Sequence, residues 1–135
     1  MNNMLMTTVR LFENRDEIIY PPGKVIFQEG ENSIGVFGIV TGEVDFYLHG
    51  NLIETLHAGD VFGMGAILHE DHLRASTAIA KTETRLACLD REHFLFAIQE
   101  APMFALQVIQ GYSNRYRRLK TLYQAELSRV AVANR

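Results

Sequence analysis

Asp60-Val61-Phe62-Gly63-Met64-Gly65-Ala66-Ile67-Leu68, followed by Leu73-Arg74-Ala75-Ser76-Thr77, collects glycines, one arginine and two hydroxyl residues in one short stretch. Gly63 and Gly65 would let a backbone approach a ligand closely, and Gly65-Ala66-Ile67-Leu68 can open a helical turn whose first N–H groups have no intrahelical partner. Such N–H groups favour an anion, phosphate above all. Arg74, returning on the other side, would add a charge-assisted bond, and Ser76 and Thr77 would supply hydroxyls.

Something must position that turn, and the sequence around it changes period once. From Glu17 to Asp90, short apolar runs recur between glycine, asparagine and aspartate. Val44, Phe46 and Leu48 alternate with Glu43, Asp45 and Tyr47, as in a half-buried strand. Gly50-Asn51 then reads as a two-residue hairpin turn before Leu52–Leu56. Similar runs at Gly35–Val40, Val61–Phe62, Ser76–Lys81 and Thr84–Leu89 complete a pattern of many short strands, which predicts a sandwich or barrel. After Asp90 the period becomes helical. Asp90 is an N-cap, with Glu92 in the first turn and Phe94, Leu95 and Ile98 as the apolar face. Pro102 suits the first turn of a second helix. Along it Ala105, Ile109, Tyr112, Tyr116, Leu119, Tyr123 and Val130 repeat in steps of four and three, a heptad seam interrupted by Glu126. The expected layout is one domain over residues 1–135: a roll of strands over about 17–90, then helices over about 91–100 and 102–130.

The order and separation of these motifs resemble the cyclic-nucleotide-binding domain family, found in the catabolite activator protein and in protein kinase A regulatory subunits. Tyr20-Pro21-Pro22-Gly23-Lys24-Val25-Ile26-Phe27-Gln28-Glu29-Gly30 looks like its opening strand pair, and Phe37-Gly38-Ile39-Val40-Thr41-Gly42-Glu43-Val44 like its next strand and glycine turn. Gly59-Asp60-Val61-Phe62-Gly63 resembles the entry to its phosphate-binding cassette, closed by Arg74-Ala75-Ser76-Thr77, and Leu89-Asp90-Arg91-Glu92-His93-Phe94 the strand-to-helix junction beyond. The resemblance implies a mainly β fold with C-terminal α: a double-stranded, jelly-roll or cupin-like β-roll of eight strands, then a short and a long helix. It implies a ligand site at Phe62, Gly63, Met64, Gly65, Ala66, Arg74, Ala75, Ser76 and Thr77, taking cyclic AMP, cyclic GMP or another small phosphate-bearing anion. Arg74 stands where the family's arginine pairs with the cyclic phosphate. Met64 stands where the family carries the glutamate that accepts from the ribose 2′-hydroxyl. Losing a hydrogen bond to a charged group costs about 1.5–3 kcal/mol, roughly ten- to a hundred-fold in affinity. In this family the long helix also dimerises, which assigns Ile109, Tyr112, Tyr116, Leu119 and Tyr123 to a homodimer seam, and residues near Arg115 to Leu119 can approach the ligand.

Composition sets the remaining bounds. A net charge of −3, with 47% hydrophobic and 21% charged residues, fits a globular protein and gives no electrostatic case for nucleic acid or an anionic membrane. Arg115, Arg117, Arg118 and Lys120 cluster on the long helix and read as its solvated face rather than a nucleic-acid contact. Ending at Arg135, the sequence leaves no room for the family's helix-turn-helix, so direct DNA binding is not expected. The single Cys88 lies in an apolar run as a small buried thiol and excludes an internal disulfide. His69-Glu70-Asp71-His72 has acceptable metal-ligand spacing but reads as a solvated loop, and Glu70 is a conceivable stand-in for the missing glutamate. His49, His57 and His93 are scattered surface or cap residues. No nucleophile elbow or nucleotide-hydrolysing loop is present, so no catalytic residues are assigned and an enzyme is not expected. A cupin-type metal enzyme would need clustered histidines. No secretory signal or membrane span is seen, which gives a cytoplasmic protein by default. Two readings follow: a stand-alone sensor that binds a small anion and signals to a downstream protein through its C-terminal helix, or an interaction and dimerisation scaffold in which Arg74 is a structural salt-bridge partner.

Overall fold

The computed structural model describes residues 17–32 and 35–134. Eight strands precede the main helices: β1 (Glu17–Tyr20), β2 (Val25–Phe27), β3 (Val36–Thr41), β4 (Glu43–Leu48), β5 (Asn51–His57), β6 (Val61–Phe62), β7 (Thr77–Ala80) and β8 (Thr84–Leu89). A single helical turn, α1 (Gly65–Leu68), separates β6 from β7; α2 (Arg91–Glu100) and α3 (Pro102–Ala133) follow β8. The strands form two antiparallel four-stranded sheets, in the orders β1-β8-β3-β6 and β2-β7-β4-β5. The β-roll with its short and long helices is the architecture that the family resemblance implies.

Two apolar clusters hold the elements. Between the sheets Phe27, Phe37, Phe46 and Phe62 pack with Ile39, Val44, Leu56 and Leu86. The Phe37 and Phe62 rings stack at 5.2 Å and Phe46 meets Phe62 edge-on at 5.1 Å, geometries that suit the ring quadrupoles. The second cluster joins Val36, Val61, Ile67 and Leu89 to Phe94 of α2 and to Phe104 and Val108 of α3, and so seats the helices on the roll. Asp90 caps α2 as expected, accepting from the His93 N–H at 2.8 Å. Phe94 and Ile98 face the core as assigned, whereas Leu95 is exposed and Ala97 packs on the core in its place.

The turn between β4 and β5 lies one residue earlier than the sequence suggests. Leu48 pairs with Asn51, which leaves His49-Gly50 as the two-residue turn. Both carry positive φ, 50° and 82°, as a type I′ turn demands. His49 tolerates this conformation because Glu29 accepts from its backbone N–H at 3.0 Å and faces its Nδ1 at 3.1 Å. The steric pattern alone favoured Gly-Asn; a long-range contact decided otherwise.

Gly42, where the chain crosses from one sheet to the other, has φ +97°, and a Cβ there would lie 2.5 Å from the Glu83 carbonyl oxygen and 2.7 Å from Thr84 Cα. Gly42→Ala should therefore destabilise the fold by at least about 1–3 kcal/mol. Urea unfolding would check it; a midpoint equal to that of the unsubstituted chain would refute this account of the crossover.

Candidate functional site

The turn after β6 is built around Gly63. Its φ is +88°, and a Cβ would stand 3.0 Å from both Arg74 Nη1 and the Gly35 carbonyl oxygen. Glycine is required there so that the guanidinium can close on the backbone. Gly65 has open space around it and no positive φ, so the close approach depends on Gly63 alone. Met64 caps α1 through its backbone: its N–H donates to the Tyr112 hydroxyl of α3 at 3.0 Å, and its carbonyl accepts from Ile67 at 3.1 Å. The Met64 side chain packs against the helix-side apolar cluster.

Arg74 is 5% exposed. Nη1 donates to the Gly63 carbonyl at 3.0 Å and Nη2 to the Gly35 carbonyl at 3.3 Å, while the guanidinium lies 4.2 Å over the Phe27 ring and 5.7 Å from that of Phe37. Its backbone pairs with Glu31 and Gly30, at 2.9 and 2.8 Å. Burial lowers its pKa from the ordinary arginine value, against the opposing pull of Cys88, Glu31 and Tyr112. Burial likewise raises the Cys88 thiol, only partly offset by the Arg74 charge. Cys88 itself is half-buried.

Beside Arg74 lies a cavity of about 180 Å³. Of the sequence-assigned ligand residues, Gly63, Gly65, Ala66, Arg74, Ala75 and Ser76 line it; Phe62, Met64 and Thr77 do not. Phe62 is wholly buried between the sheets, and the Thr77 hydroxyl accepts from the Glu29 N–H at 3.0 Å. Glu70 is also off the lining. The remaining wall comes from Phe27, Phe46, His69, Leu73, Tyr112 and Arg115. The lining thus holds two arginines and no carboxylate.

Arg115 corrects the sequence reading most sharply. Rather than lying on a solvated face with Arg117, Arg118 and Lys120, it turns inward and clasps Glu54 of β5: Nε to Oε1 at 3.1 Å and Nη2 to Oε2 at 2.7 Å. The two side chains are 16% and 8% exposed. The guanidinium lies 4.7 Å over the Tyr112 ring and 5.5 Å from that of Phe46. Burial alone would lower its pKa, but the Glu54 hydrogen bonds and charge, together with Tyr112, raise it above the ordinary value. An i, i+3 relation to Tyr112 was the available signal, since α3 presents Phe104, Val108, Tyr112 and Arg115 to the roll in steps of four and three.

The heptad seam divides accordingly. Ala105, Tyr112 and Leu119 are partly buried, whereas Ile109, Tyr116, Tyr123 and Val130 are exposed with Leu106 and Leu127. The apolar outer stripe is therefore Leu106, Ile109, Tyr116, Tyr123, Leu127 and Val130.

In the 69–72 loop, His72 adopts φ 54° and places Nδ1 2.7 Å from the Ala66 carbonyl oxygen. Among the described residues no three metal-ligating side chains converge. No described helix is long and apolar enough to cross a membrane.

Residues 17–101 match the family described as "Cyclic nucleotide-binding domain". The chain is 30% identical over 124 residues to the cAMP-dependent protein kinase regulatory subunit of Debaryomyces hansenii, an alignment covering 90% of this chain and 25% of that protein. It is 30% identical over 104 residues to the Cyclic AMP receptor protein of Thermus thermophilus, covering 73% of this chain and 48% of that one. The crystal structure of the Thermus thermophilus Catabolite Activator Protein superposes with a TM-score of 0.69 at 27% identity, over 88% of this chain and 57% of that one. The chain thus spans a quarter to about half the length of these relatives.

Truncating one member of a buried pair strands the other's charge, so Arg115→Met should cost about 3–5 kcal/mol in urea unfolding. Combining it with Glu54→Gln should recover most of that loss. Equal destabilisation in the single and double variants would contradict a coupled pair.

Proposed function

The chain belongs to the cyclic nucleotide-binding domain family, and from that membership we propose that its cavity receives cyclic AMP or cyclic GMP and passes the event on through α3. One observation carries the reading: the cavity beside the Gly63 turn has two arginines in its wall and no carboxylate, although the chain as a whole is acidic. Within it, the first N–H groups of α1 and the Arg74 edge form the anion-binding end, with Ser76 adding a hydroxyl.

Size supports a link between binding and α3. At about 180 Å³ the cavity is smaller than the roughly 300–1,000 Å³ usual for small-molecule sites. Tyr112 and Arg115, both on α3, supply part of the wall, so a nucleotide enters only as that wall yields. A ligand that contacts the two helix positions differently shifts their balance. The outer stripe of α3, with Tyr116 at 63% and Tyr123 at 65% exposure, supports a homodimer through this helix, and a downstream protein would read its movement.

The scaffold reading has a specific observation in its favour too. Arg74 is bound to the carbonyls of Gly63 and Gly35, and no carboxylate lines the cavity. In that case the roll is an interaction or dimerisation body with a degenerate site.

Calorimetric titration of the full chain with each nucleotide separates the two readings. Micromolar or tighter binding, abolished by Ala75→Glu, is expected; Ala75 is exposed on the cavity lining, so the variant adds a repelling carboxylate without touching the core. Flat heat to millimolar ligand would leave the scaffold. For the helix, Tyr116→Glu with Tyr123→Glu should turn a dimer into a monomer in sedimentation velocity, and a monomeric unsubstituted chain at tens of micromolar would overturn the dimer.

A further inference from the structure

An open groove of about 360 Å³ adjoins the cavity and is lined by Ile67, Leu68, His69, Glu70, His72 and Arg91. His69 borders both spaces, whereas His72 and Arg91 border the groove and not the cavity. Ile67 is buried and Leu68 exposed, so part of the wall is apolar. Around the rest stand two imidazoles, one guanidinium and one carboxylate. One contact sets what His72 can do there. Its Nδ1 lies 2.7 Å from the Ala66 carbonyl oxygen, and its backbone N–H donates to the His69 carbonyl at 3.1 Å, closing the turn. A carbonyl only accepts, so Nδ1 carries a proton in the neutral ring as in the charged one. Nε2 is the nitrogen that changes, from a lone pair in the imidazole to an N–H donor in the imidazolium. A divalent cation does not suit this wall. Arg91 would repel it, and among the described residues no three metal-ligating side chains converge. The Arg91 guanidinium is exposed and has no ion-pair partner among the described residues, which suits an anion.

We propose that the groove between α1 and the start of α2 is a second ligand site, for a phosphomonoester with an apolar portion, and that the ligand enters with a proton on His72. Arg91 supplies the standing charge and planar donors that match a tetrahedral anion. The Nε2–H of the His72 imidazolium supplies a second donor and His69 a third, while Ile67 and Leu68 receive the apolar portion. The ionisable groups around His72 are Arg91 at the start of α2 and His69, Glu70 and Asp71 in its own turn; α1 carries none. Glu70 opposes the anion, and Asp71 is engaged by the Leu73 N–H at 3.0 Å. Neutral His72 turns a lone pair toward the ligand, so affinity rises as pH falls through the histidine range. The site stands apart from Arg74 and does not depend on what the first cavity holds.

Sulfate is the probe for the charge, because it stays a dianion where histidine titrates. Amide-resolved NMR of the full chain, titrated with sodium sulfate at about pH 5.5 and about pH 8, is compared with sodium chloride at equal ionic strength. Saturating shifts are expected at Leu68 to His72 and at Arg91, with affinity about five- to tenfold tighter at the lower pH. Arg91→Gln should weaken binding about three- to tenfold, and Glu70→Gln should tighten it about twofold. His72→Asn, a residue that accepts positive φ, should remove most of the pH dependence. At one pH, phenyl phosphate should bind severalfold tighter than methyl phosphate. Circular dichroism checks that each variant is folded. Shifts reproduced by chloride, or confined to Gly63, Ala66 and Arg74, would overturn the groove site. Binding unchanged in Arg91→Gln would do the same. A pH dependence that survives in His72→Asn would refute the role of His72, and equal affinity for the two phosphates would refute the apolar portion.

Discussion

A buried guanidinium in the cavity wall, that of Arg74, is the constraint around which the rest is arranged. Removing the Arg74 charge from water carries a large solvation cost, which surrounding groups must offset. Two backbone carbonyls, at Gly63 and Gly35, and the face of the Phe27 ring help to do so. Each contact fixes something else. The Gly63 carbonyl sets the path of the turn after β6, the Gly35 carbonyl sets the entry to β3, and the Phe27 ring belongs to the aromatic cluster between the sheets. The cassette turn, one sheet's central strand and the core are thereby registered against a single side chain. A residue larger than glycine at position 63 would collide with both Arg74 and Gly35.

The opposite wall follows the same logic with a carboxylate in place of carbonyls. Glu54 of β5 holds Arg115 of α3, and the Tyr112 hydroxyl takes the Met64 N–H at the start of α1. The long helix is therefore pinned to the roll at the strand sheet and at the cassette turn. Beyond the Arg115 turn its residues are mostly exposed, through to Asn134. A helix of 32 residues extends about 48 Å. Under the proposed sensor function, a small change where α3 meets the roll would be carried along that lever.

Much of the fold was legible because its periods are local. Alternation in β4, the Asp90 cap and Pro102 each depend on residues within a few positions, and each stands in the structure where the sequence puts it. The misses share a cause. His49-Gly50 displaced Gly50-Asn51 as the turn because Glu29, far away in sequence, steadies His49. Leu95 and the heptad seam were assigned by period, but period gives the spacing of a stripe and leaves open which neighbouring stripe faces the partner. On α3 the roll takes Phe104, Val108, Tyr112 and Arg115; Ile109, Tyr116, Tyr123 and Val130 stay on the exposed stripe, while Ala105, Tyr112 and Leu119 leave it and Leu106 and Leu127 join it.

Types and spacing alone thus predicted many short strands followed by two helices, and they carried the family resemblance, which implied the β-roll and a ligand site at the Gly63 turn. They also marked Met64 as a departure. Tertiary structure decided which side chains border the cavity. It buries Phe62, commits Thr77 to a strand contact and sends Met64 into the helix-side core. It also brings Arg115 out of a cluster that looked solvated and onto Glu54. The physical reason is that a residue's own chemistry sets what it can bind, whereas the desolvation and pairing of a charge depend on residues distant in the chain. Arg115 and Glu54 are 61 positions apart, and no local pattern in either segment announces the other.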